Sequence, residues 1–159
     1  MKLIKGDITK SDAKLIGHGV NTIGVMGAGV ALALAREFPG LEREYQEYIS
    51  KEIEGWVPNK NHLLGNVHWY VDQEKGKTVA NIFIQTDVGQ DGKKYGKYTA
   101  VANGLVELAK YSWRVSRGRN KIAIPTIGCG LAGLKWEIVS EMIQEVEGQF
   151  GVEFEVYYL

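Results

Sequence analysis

One glycine-rich stretch, residues 17–39, constrains the fold more than any other part of the chain. Its sequence, GHGVNTIGVMGAGVALALAREFP, has the pattern of a buried strand that ends in a loop and passes into a helix. Gly24, Gly27 and Gly29 lie in the loop with only small or apolar residues between them. Glycine lets a ligand approach the backbone without a Cβ in the way, and unpaired N–H groups at a helix start form an anion site. Phosphate is therefore the ligand that this stretch predicts.

The segment after the loop is predicted to be a helix over residues 28–38. Alanine, leucine and valine occupy nearly every face of it, which is typical of a helix that is buried on most sides. Pro39 ends it, because proline has no N–H to donate and its ring clashes with a continuing helix.

Strands and helices alternate along the rest of the chain. Apolar runs and period-two alternation predict strands over residues 1–5, 15–20, 67–71, 79–85, 121–125 and 150–159. Helical spacing of apolar residues predicts further helices over residues 41–53, 99–113 and 134–147, and residues 86–97 have the composition of a loop. This order favours an α/β fold with a mixed or largely parallel sheet covered on both faces. We expect one domain over residues 1–159, because this length suffices to bury a core.

The charge balance and the cysteine content narrow the class of protein. The 19 basic residues balance 19 acidic ones, so nothing indicates a nucleic-acid footprint or a polybasic membrane patch. A single cysteine, Cys129, excludes an internal disulfide and is typical of a reducing compartment. The N-terminus has no apolar run of signal-peptide length, and no stretch approaches membrane-spanning length. We expect a cytoplasmic monomer that acts on a small molecule and needs no metal or cofactor.

A second glycine loop, residues 126–133, follows the apolar strand at 121–125. Gly128, Gly130 and Gly133 match the dinucleotide-binding pattern G-x-G-x-x-G, which requires an acidic residue at the end of the next strand, about 20 residues on. Glu153 has that spacing but stands at the start of the last strand, and too little chain follows for a dinucleotide half-domain. We therefore reject a Rossmann dehydrogenase.

Both glycine loops leave strands at the carboxyl end of the predicted sheet, where open α/β sheets bind ligands. Either loop by itself can be a tight turn without a ligand. Two of them, each between a buried strand and a helix, favour a shared binding cleft by roughly three to one.

Two titratable side chains lie where this cleft is predicted. His18 precedes the first loop at the end of a strand; such a histidine is usually structural, but beside a phosphate site it is a candidate general acid or nucleophile. Asp87 follows the strand at 79–85 and is a second acid–base candidate, with a capping or turn role as the alternative. Cys129 lies in the second loop, where a lone thiol is more often a packing residue than a nucleophile.

Three motifs, in this order along the chain, resemble those of the macro domain family. They are Gly6-Asp7-Ile8-Thr9, then Val20-Asn21 before GVMGAGVA at 24–31, then Ile124-Pro125 before GCGLAG at 128–133. The resemblance covers nearly the whole chain. It implies a three-layer α/β/α fold with a mixed central sheet and a cleft for ADP-ribose.

The resemblance also implies a role for each motif. Asp7 would hydrogen-bond the adenine amino group with Ile8 beside it, and Asn21 would contact the distal ribose. The two glycine loops would hold the phosphates from opposite sides through backbone N–H groups. The implied substrate-binding residues are Asp7, Ile8, Asn21, Gly27, Ala28, Gly29, Val30, Thr126, Gly128, Cys129, Gly130 and Leu131.

One branch of the family is favoured by the run from Ile16 to Asn21, which resembles the yeast-type ADP-ribose 1″-phosphate phosphatases that carry a histidine at the matching place. The leading expectation is a hydrolase that removes the terminal phosphate of ADP-ribose 1″-phosphate, with His18, Asn21 and Asp87 as catalytic candidates. Residues 133–136 also resemble the DNA-linked ADP-ribosyl glycohydrolases. Two alternatives stay open: a hydrolase of ADP-ribose bonded to protein or nucleic acid, with Lys93, Lys94 or Lys97 involved, and a reader that binds ADP-ribose and catalyses nothing.

Overall fold

The computed structural model describes residues 1–54, 60–87 and 94–159. In these ranges the strands are β1 (Lys2–Lys5), β2 (Leu15–Asn21), β3 (Val67–Asp72), β4 (Lys77–Gln85), β5 (Ile122–Pro125) and β6 (Phe154–Tyr158). The helices are α1 (Gly29–Glu37), α2 (Leu41–Glu54), α3 (Tyr98–Ser116) and α4 (Trp136–Phe150), with 3-10 turns at Ile8–Lys10 and Lys60–Leu63.

The strands form one mixed sheet in the order β1-β6-β5-β2-β4-β3. Every neighbouring pair is parallel except β3 and β4, which are antiparallel. The carboxyl ends of parallel strands lie at the same edge of a sheet, so β2, β4 and β5 end side by side at one edge. The predicted α/β fold with a mixed central sheet is confirmed.

Helices cover both faces of the sheet and enclose two apolar cores. On one face, Leu34 of α1 and Tyr45 of α2 pack with Ile16 and Phe83 of the sheet. On the other face, α3 and α4 pack against alternate residues of the same strands, such as Ile82. Successive side chains of β4 therefore point alternately into the two cores. The architecture has three layers, α/β/α.

Two details of the prediction are wrong. Residues 150–153 do not belong to the last strand, because Phe150 ends α4 and Gly151 caps it in the left-handed conformation with φ 67°. Helix α1 is not buried on most sides: Leu34 is its one buried residue, and the small residues at its start are exposed or half-buried. Part of the predicted loop, residues 88–93, lies outside the described residues.

None of the helices in the described ranges is both long enough and apolar enough to cross a membrane.

A glycine in the middle of α3 tests the contact between α3 and the sheet. A Cβ added at Gly104 would overlap Cγ2 of Ile82, which is fully buried. A Cβ at Gly148 of α4 would meet no atom within 4 Å.

We expect Gly104→Ala to lower the free energy of unfolding by about 1–3 kcal/mol through overpacking, although alanine is the better helix former. Gly148→Ala is the matched control and should raise it by about 0.5–1 kcal/mol. Urea denaturation of both variants measures this, and equal effects would contradict the tight packing of α3 on β4.

Candidate functional site

A cavity of about 650 Å³ opens at the carboxyl edge of β2, β4 and β5, within the size range of small-molecule sites. Residues 27–31 of the first glycine loop and α1 form one side of it, and residues from 125–132 form the other. The prediction that the two glycine loops face a single cleft is confirmed.

Most of the predicted site residues line this cavity, but several do not. The predicted residues in the wall are His18, Asn21, Gly27, Ala28, Gly29, Val30, Thr126, Gly128, Gly130 and Leu131. Asp7, Ile8, Asp87 and Cys129 are absent from the described wall. The wall also contains residues that sequence reasoning did not assign to the site: Gly19, Val20, Val25, Ala31, Ile84, Gln85, Pro125, Ile127 and Ala132. Most of them stand inside the quoted motifs, and Gln85 ends a buried strand at the cleft, whereas Ile84 and Ile127 carried no such signal.

No ionised side chain lines the cavity among the described residues. The start of α1 supplies polar groups instead. Ala28 precedes the helix in an extended conformation and makes no side-chain capping bond, and the first intrahelical bond runs from the Leu32 N–H to the Ala28 carbonyl at 3.2 Å. The N–H groups of the first turn are therefore unpaired within the helix, which together with the helix dipole favours an anion.

The glycines are required at two points of the cavity wall for different reasons. Gly29 adopts φ 57°, a left-handed conformation, with open space where a Cβ would stand. Gly128 adopts φ 74°, and a Cβ there would lie 2.6 Å from Cδ1 of Leu134. The first glycine provides a backbone conformation that other residues rarely adopt, and the second also allows close packing beneath the loop.

Asn21 holds the first loop together. Its Nδ2 donates to the Val25 carbonyl at 2.8 Å, and its Oδ1 accepts from the N–H groups of Ile23 and Val25 at 3.1 and 3.2 Å. The Tyr45 hydroxyl of α2 lies 2.5 Å from the Asn21 carbonyl oxygen and 2.8 Å from the same Oδ1. Both polar atoms of Asn21 are thus engaged by the protein, and its catalytic role stays a prediction. Its side chain shapes the loop.

A shift in strand register directs the chain into this loop. Val20 of β2 pairs with Phe83 of β4, whereas the next residue, Asn21, pairs with Gln85. Such a bulge bends the strand and re-aims the side chains beside it. The irregularity thus falls where the sheet ends and the cavity wall begins.

His18 lies in the cavity wall and is only 1% exposed. Its Nε2 lies 2.6 Å from Oδ1 of Asn81. Burial lowers the His18 pKa to about 4, against the opposing effect of the hydrogen bond to Asn81, so the imidazole is neutral at pH 7. Its Nδ1 is shielded from solvent and has no hydrogen-bond partner within the described ranges. The Nε2 is thus engaged by Asn81, Nδ1 is the ring nitrogen left without a protein partner, and the catalytic role of His18 stays a prediction.

Asp7 and Ile8 lie beside the cavity rather than in its wall. The Asp7 carboxylate accepts hydrogen bonds from the backbone and side chain of Thr9, at 2.9 and 2.8 Å, and these bonds lower its pKa. Ile8 is buried in the core beneath it. The 3-10 turn that Asp7 caps contacts α1 and β5, the Asp7 carboxylate is exposed, and its contact with adenine stays a prediction.

The remaining candidates are also displaced from the cavity. Asp87 is exposed beyond β4, and its carbonyl accepts a hydrogen bond from Nε2 of Gln85 at 2.6 Å. The Cys129 N–H donates to the Thr126 carbonyl at 3.1 Å, and burial raises the pKa of its thiol to about 11. Cys129 thus has a protonated thiol and an engaged N–H and lies outside the described cavity wall, and its contact with a substrate stays a prediction.

The predicted lysines are spread along the approach to α3. The Lys94 ammonium lies 5.2 Å from the centroid of the Tyr98 ring, and Lys97 is an exposed residue immediately before the helix. Lys93 lies outside the described residues. Within the described ranges, no group of three or more His, Cys, Asp or Glu residues is arranged to hold a metal ion.

Two named proteins are similar to this chain over nearly its whole length. The chain is 28% identical over 170 residues to a protein of Lodderomyces elongisporus named ADP-ribose 1″-phosphate phosphatase, a match that covers 100% of this chain and 98% of that one. It is 31% identical over 163 residues to a Thermus aquaticus protein named DNA ADP-ribosyl glycohydrolase. That match covers 99% of this chain but 41% of the relative, so this chain spans less than half of its length.

Solved structures resemble the whole chain. A crystal structure of a Bacteroides thetaiotaomicron protein superimposes with a TM-score of 0.82 at 31% identity and covers 100% of this chain and 99% of that one. The macrodomain of Thermus aquaticus DarG superimposes with a TM-score of 0.75 at 27% identity and covers 99% and 97%. The sequence model described as the macro domain matches residues 18–143. The chain therefore belongs to the macro domain family.

Proposed function

We propose that the protein is a hydrolase that binds ADP-ribose derivatives and removes the terminal phosphate of ADP-ribose 1″-phosphate. The observation that carries this proposal is the cavity between two glycine loops, whose described wall contains no ionised side chain. Such a wall holds a diphosphate through backbone N–H groups. The match to a phosphatase over nearly the full length of both chains supports the choice of reaction.

In this proposal the substrate lies across the carboxyl edge of the sheet. The adenine would lie near Asp7, whose exposed carboxylate accepts from an amino group, with Ile8 beneath. The diphosphate would lie between the start of α1 and residues 128–131. The terminal ribose and its phosphate would lie over Asn21 and Gly27, at the end of β2.

His18 would act as a proton acceptor rather than as a nucleophile. Buried polar atoms are as a rule hydrogen-bonded, so the unpartnered Nδ1 is suited to receive a proton from the attacking water. The water oxygen bonds to phosphorus, its proton passes to Nδ1, and the bond from phosphorus to the 1″-oxygen breaks. The leaving oxygen then takes that proton, and the products are ADP-ribose and inorganic phosphate. Asp87 remains a second acid–base candidate, from outside the described cavity wall.

A second candidate function is the removal of ADP-ribose from DNA. The observation that favours it is the 31% identity to the Thermus aquaticus DNA ADP-ribosyl glycohydrolase over 99% of this chain. This reaction would use the same cavity, with the terminal ribose still joined to its acceptor at the opening.

We expect the protein to release phosphate from ADP-ribose 1″-phosphate and to bind ADP-ribose, as measured by calorimetry. ADP-ribosylated DNA, assayed in parallel, distinguishes the second candidate. Binding without turnover of either substrate would contradict both reactions and leave a reader of ADP-ribose.

Two substitutions of Ala28 test whether the start of α1 binds the diphosphate. Ala28 is exposed at the N-cap of α1, so Ala28→Asp and Ala28→Ser should both cap the helix and stabilise the protein by about 0.5–2 kcal/mol. Only the aspartate places a negative charge beside the proposed diphosphate site, and it should weaken ADP-ribose binding at least about tenfold, or 1.4 kcal/mol. Equal affinities of the two variants would exclude an anion at this helix start.

The role of His18 is tested by His18→Gln. The glutamine amide can replace the hydrogen bond to Asn81 but offers no basic ring nitrogen. We expect kcat for phosphate release to fall at least about hundredfold, the range of general acid–base catalysis, while the affinity for ADP-ribose stays within a few-fold. Asp87→Asn is the parallel variant. Unchanged turnover in His18→Gln would remove His18 from the reaction.

The pH dependence of ADP-ribose binding gives an independent test of the location of His18. Its pKa is about 4 in the empty protein, and a nearby diphosphate favours the imidazolium and so raises this pKa in the complex. Between the two pKa values, binding takes up a proton, and affinity must therefore rise as the pH falls. We expect calorimetry to find binding roughly threefold or more tighter at pH 5 than at pH 7.5, and this gain to vanish in His18→Gln. An affinity gain that persists in the variant would place the titrating group elsewhere.

A further inference from the structure

Three polar side chains form a row across the sheet beneath the cavity. His18 of β2 stands opposite Asn81 of β4, and Asn81 stands opposite His68 of the edge strand β3. The row is hydrogen-bonded throughout: His18 Nε2 is 2.6 Å from Asn81 Oδ1, and Asn81 Nδ2 is 3.1 Å from His68 Nδ1. We refer to these three residues as the cross-sheet row.

The amide of Asn81 gives the row a direction. Its oxygen can only accept, so the Nε2 of His18 must carry a proton. Its nitrogen can only donate, so the Nδ1 of His68 must present a lone pair. A neutral imidazole carries one proton, and Nδ1 of His18 is therefore an acceptor.

The opposite orientation of the Asn81 side-chain amide is disfavoured because Nδ1 of His18 is buried. If Asn81 donated to His18, the ring proton of His18 would lie on Nδ1, which is buried without a partner in the described structure. A buried donor that lacks an acceptor loses its hydrogen bond to water without compensation. Asn81 itself is fully buried, so solvent cannot compensate for either arrangement.

The surroundings of the row contain few other groups that could set the protonation of His18. Burial and the hydrogen bond to Asn81 are the two causes of its altered pKa. From α2, the Tyr48 ring lies 5.0 Å from the His68 ring, centroid to centroid, and the Tyr45 hydroxyl is directed to Asn21. Burial also lowers the pKa of His68, which keeps its Nδ1 lone pair available to Asn81.

We propose that Asn81 and His68 are positioning residues that hold His18, a residue of the cavity wall, in the Nε2–H tautomer and so keep its Nδ1 an acceptor. This inference rests on the proposed function insofar as His18 serves the reaction. It assigns a part in the site to β3, a strand that supplies no residue to the described cavity wall.

Nitrogen NMR of the imidazole rings tests this proposal without any substrate. The protein has three histidines, so the spectrum of each single variant assigns the signals by elimination. In the unmodified protein we expect His18 to be protonated on Nε2 alone. In His68→Phe, which keeps a ring against Tyr48 but removes the acceptor, either orientation of the Asn81 amide leaves one buried donor unpaired, on Asn81 or on His18. A mixture of the two His18 tautomers should therefore appear. His62→Gln is the matched control and should leave the His18 signals unchanged.

A second variant, Asn81→Asp, replaces the amide by a carboxylate of the same shape. Its negative charge beside Nε2–H should raise the midpoint of the His18 titration by at least about one pH unit, an effect that a purely structural change would not produce. A proton on Nδ1 in the unmodified protein, or the same single tautomer in His68→Phe, would overturn the proposal. An unchanged titration midpoint in folded Asn81→Asp would do so as well.

The NMR spectra test the positioning of His18, and the phosphate-release assay tests the proposed function, so each proposal can be contradicted without the other. If the tautomer depends on the row but no substrate is turned over, the proposed function is wrong and the positioning stands. If phosphate is released but the tautomer is indifferent to His68, the positioning is wrong and the proposed function stands. If both hold, kcat in His68→Phe should fall in proportion to the lost fraction of the Nε2–H tautomer, with KM unchanged.

Discussion

The binding site depends on the hydrogen bonds that the Asn21 side chain makes at the end of β2. This one amide joins the strand to the N–H groups and the carbonyl of the loop that follows, and the Tyr45 hydroxyl ties it to α2. Without it, a loop rich in glycine would retain the entropy that glycine brings. Ordering the loop before a ligand arrives reduces the entropy that binding must still remove. The glycines can thus lie open to a ligand without leaving the cavity wall mobile.

The described wall of the cavity contains helix-start N–H groups and apolar side chains, with no ionised group among them. A lysine or arginine in the wall would bind phosphate more strongly but would itself have to be desolvated or paired in the empty protein. Peptide N–H groups carry partial charges that are fixed by the fold, so they need no reorganisation when the anion binds. This is why the overall charge balance of 19 basic against 19 acidic residues is compatible with a site for a diphosphate.

Sequence patterns predicted the elements well and the burial of α1 poorly, and the reason is physical. Alternation and helical spacing report apolar content, and they cannot distinguish a helix packed in a core from one whose small residues border a cavity. Ala31 looks like a core residue in the sequence, whereas it lines the cavity in the structure. Asp7 and Cys129 matched family motifs, but local hydrogen bonds to Thr9 and Thr126 decide what their polar groups do. Such short-range geometry is not encoded in residue spacing.

The environment of His18 could not be predicted because it is set by strand register. Asn81 lies inside an apolar run, VANIFIQ, where a lone polar residue gives no hint of its partner. A register slip of one residue would turn Asn81 to the opposite face of the sheet, away from His18 and into the core that contains Ile82 and Leu105. A buried polar row therefore penalises every misaligned pairing of β2, β4 and β3, since each would leave buried donors and acceptors unmatched. The three side chains that we propose to set the tautomer of His18 thus also disfavour the wrong register of the sheet.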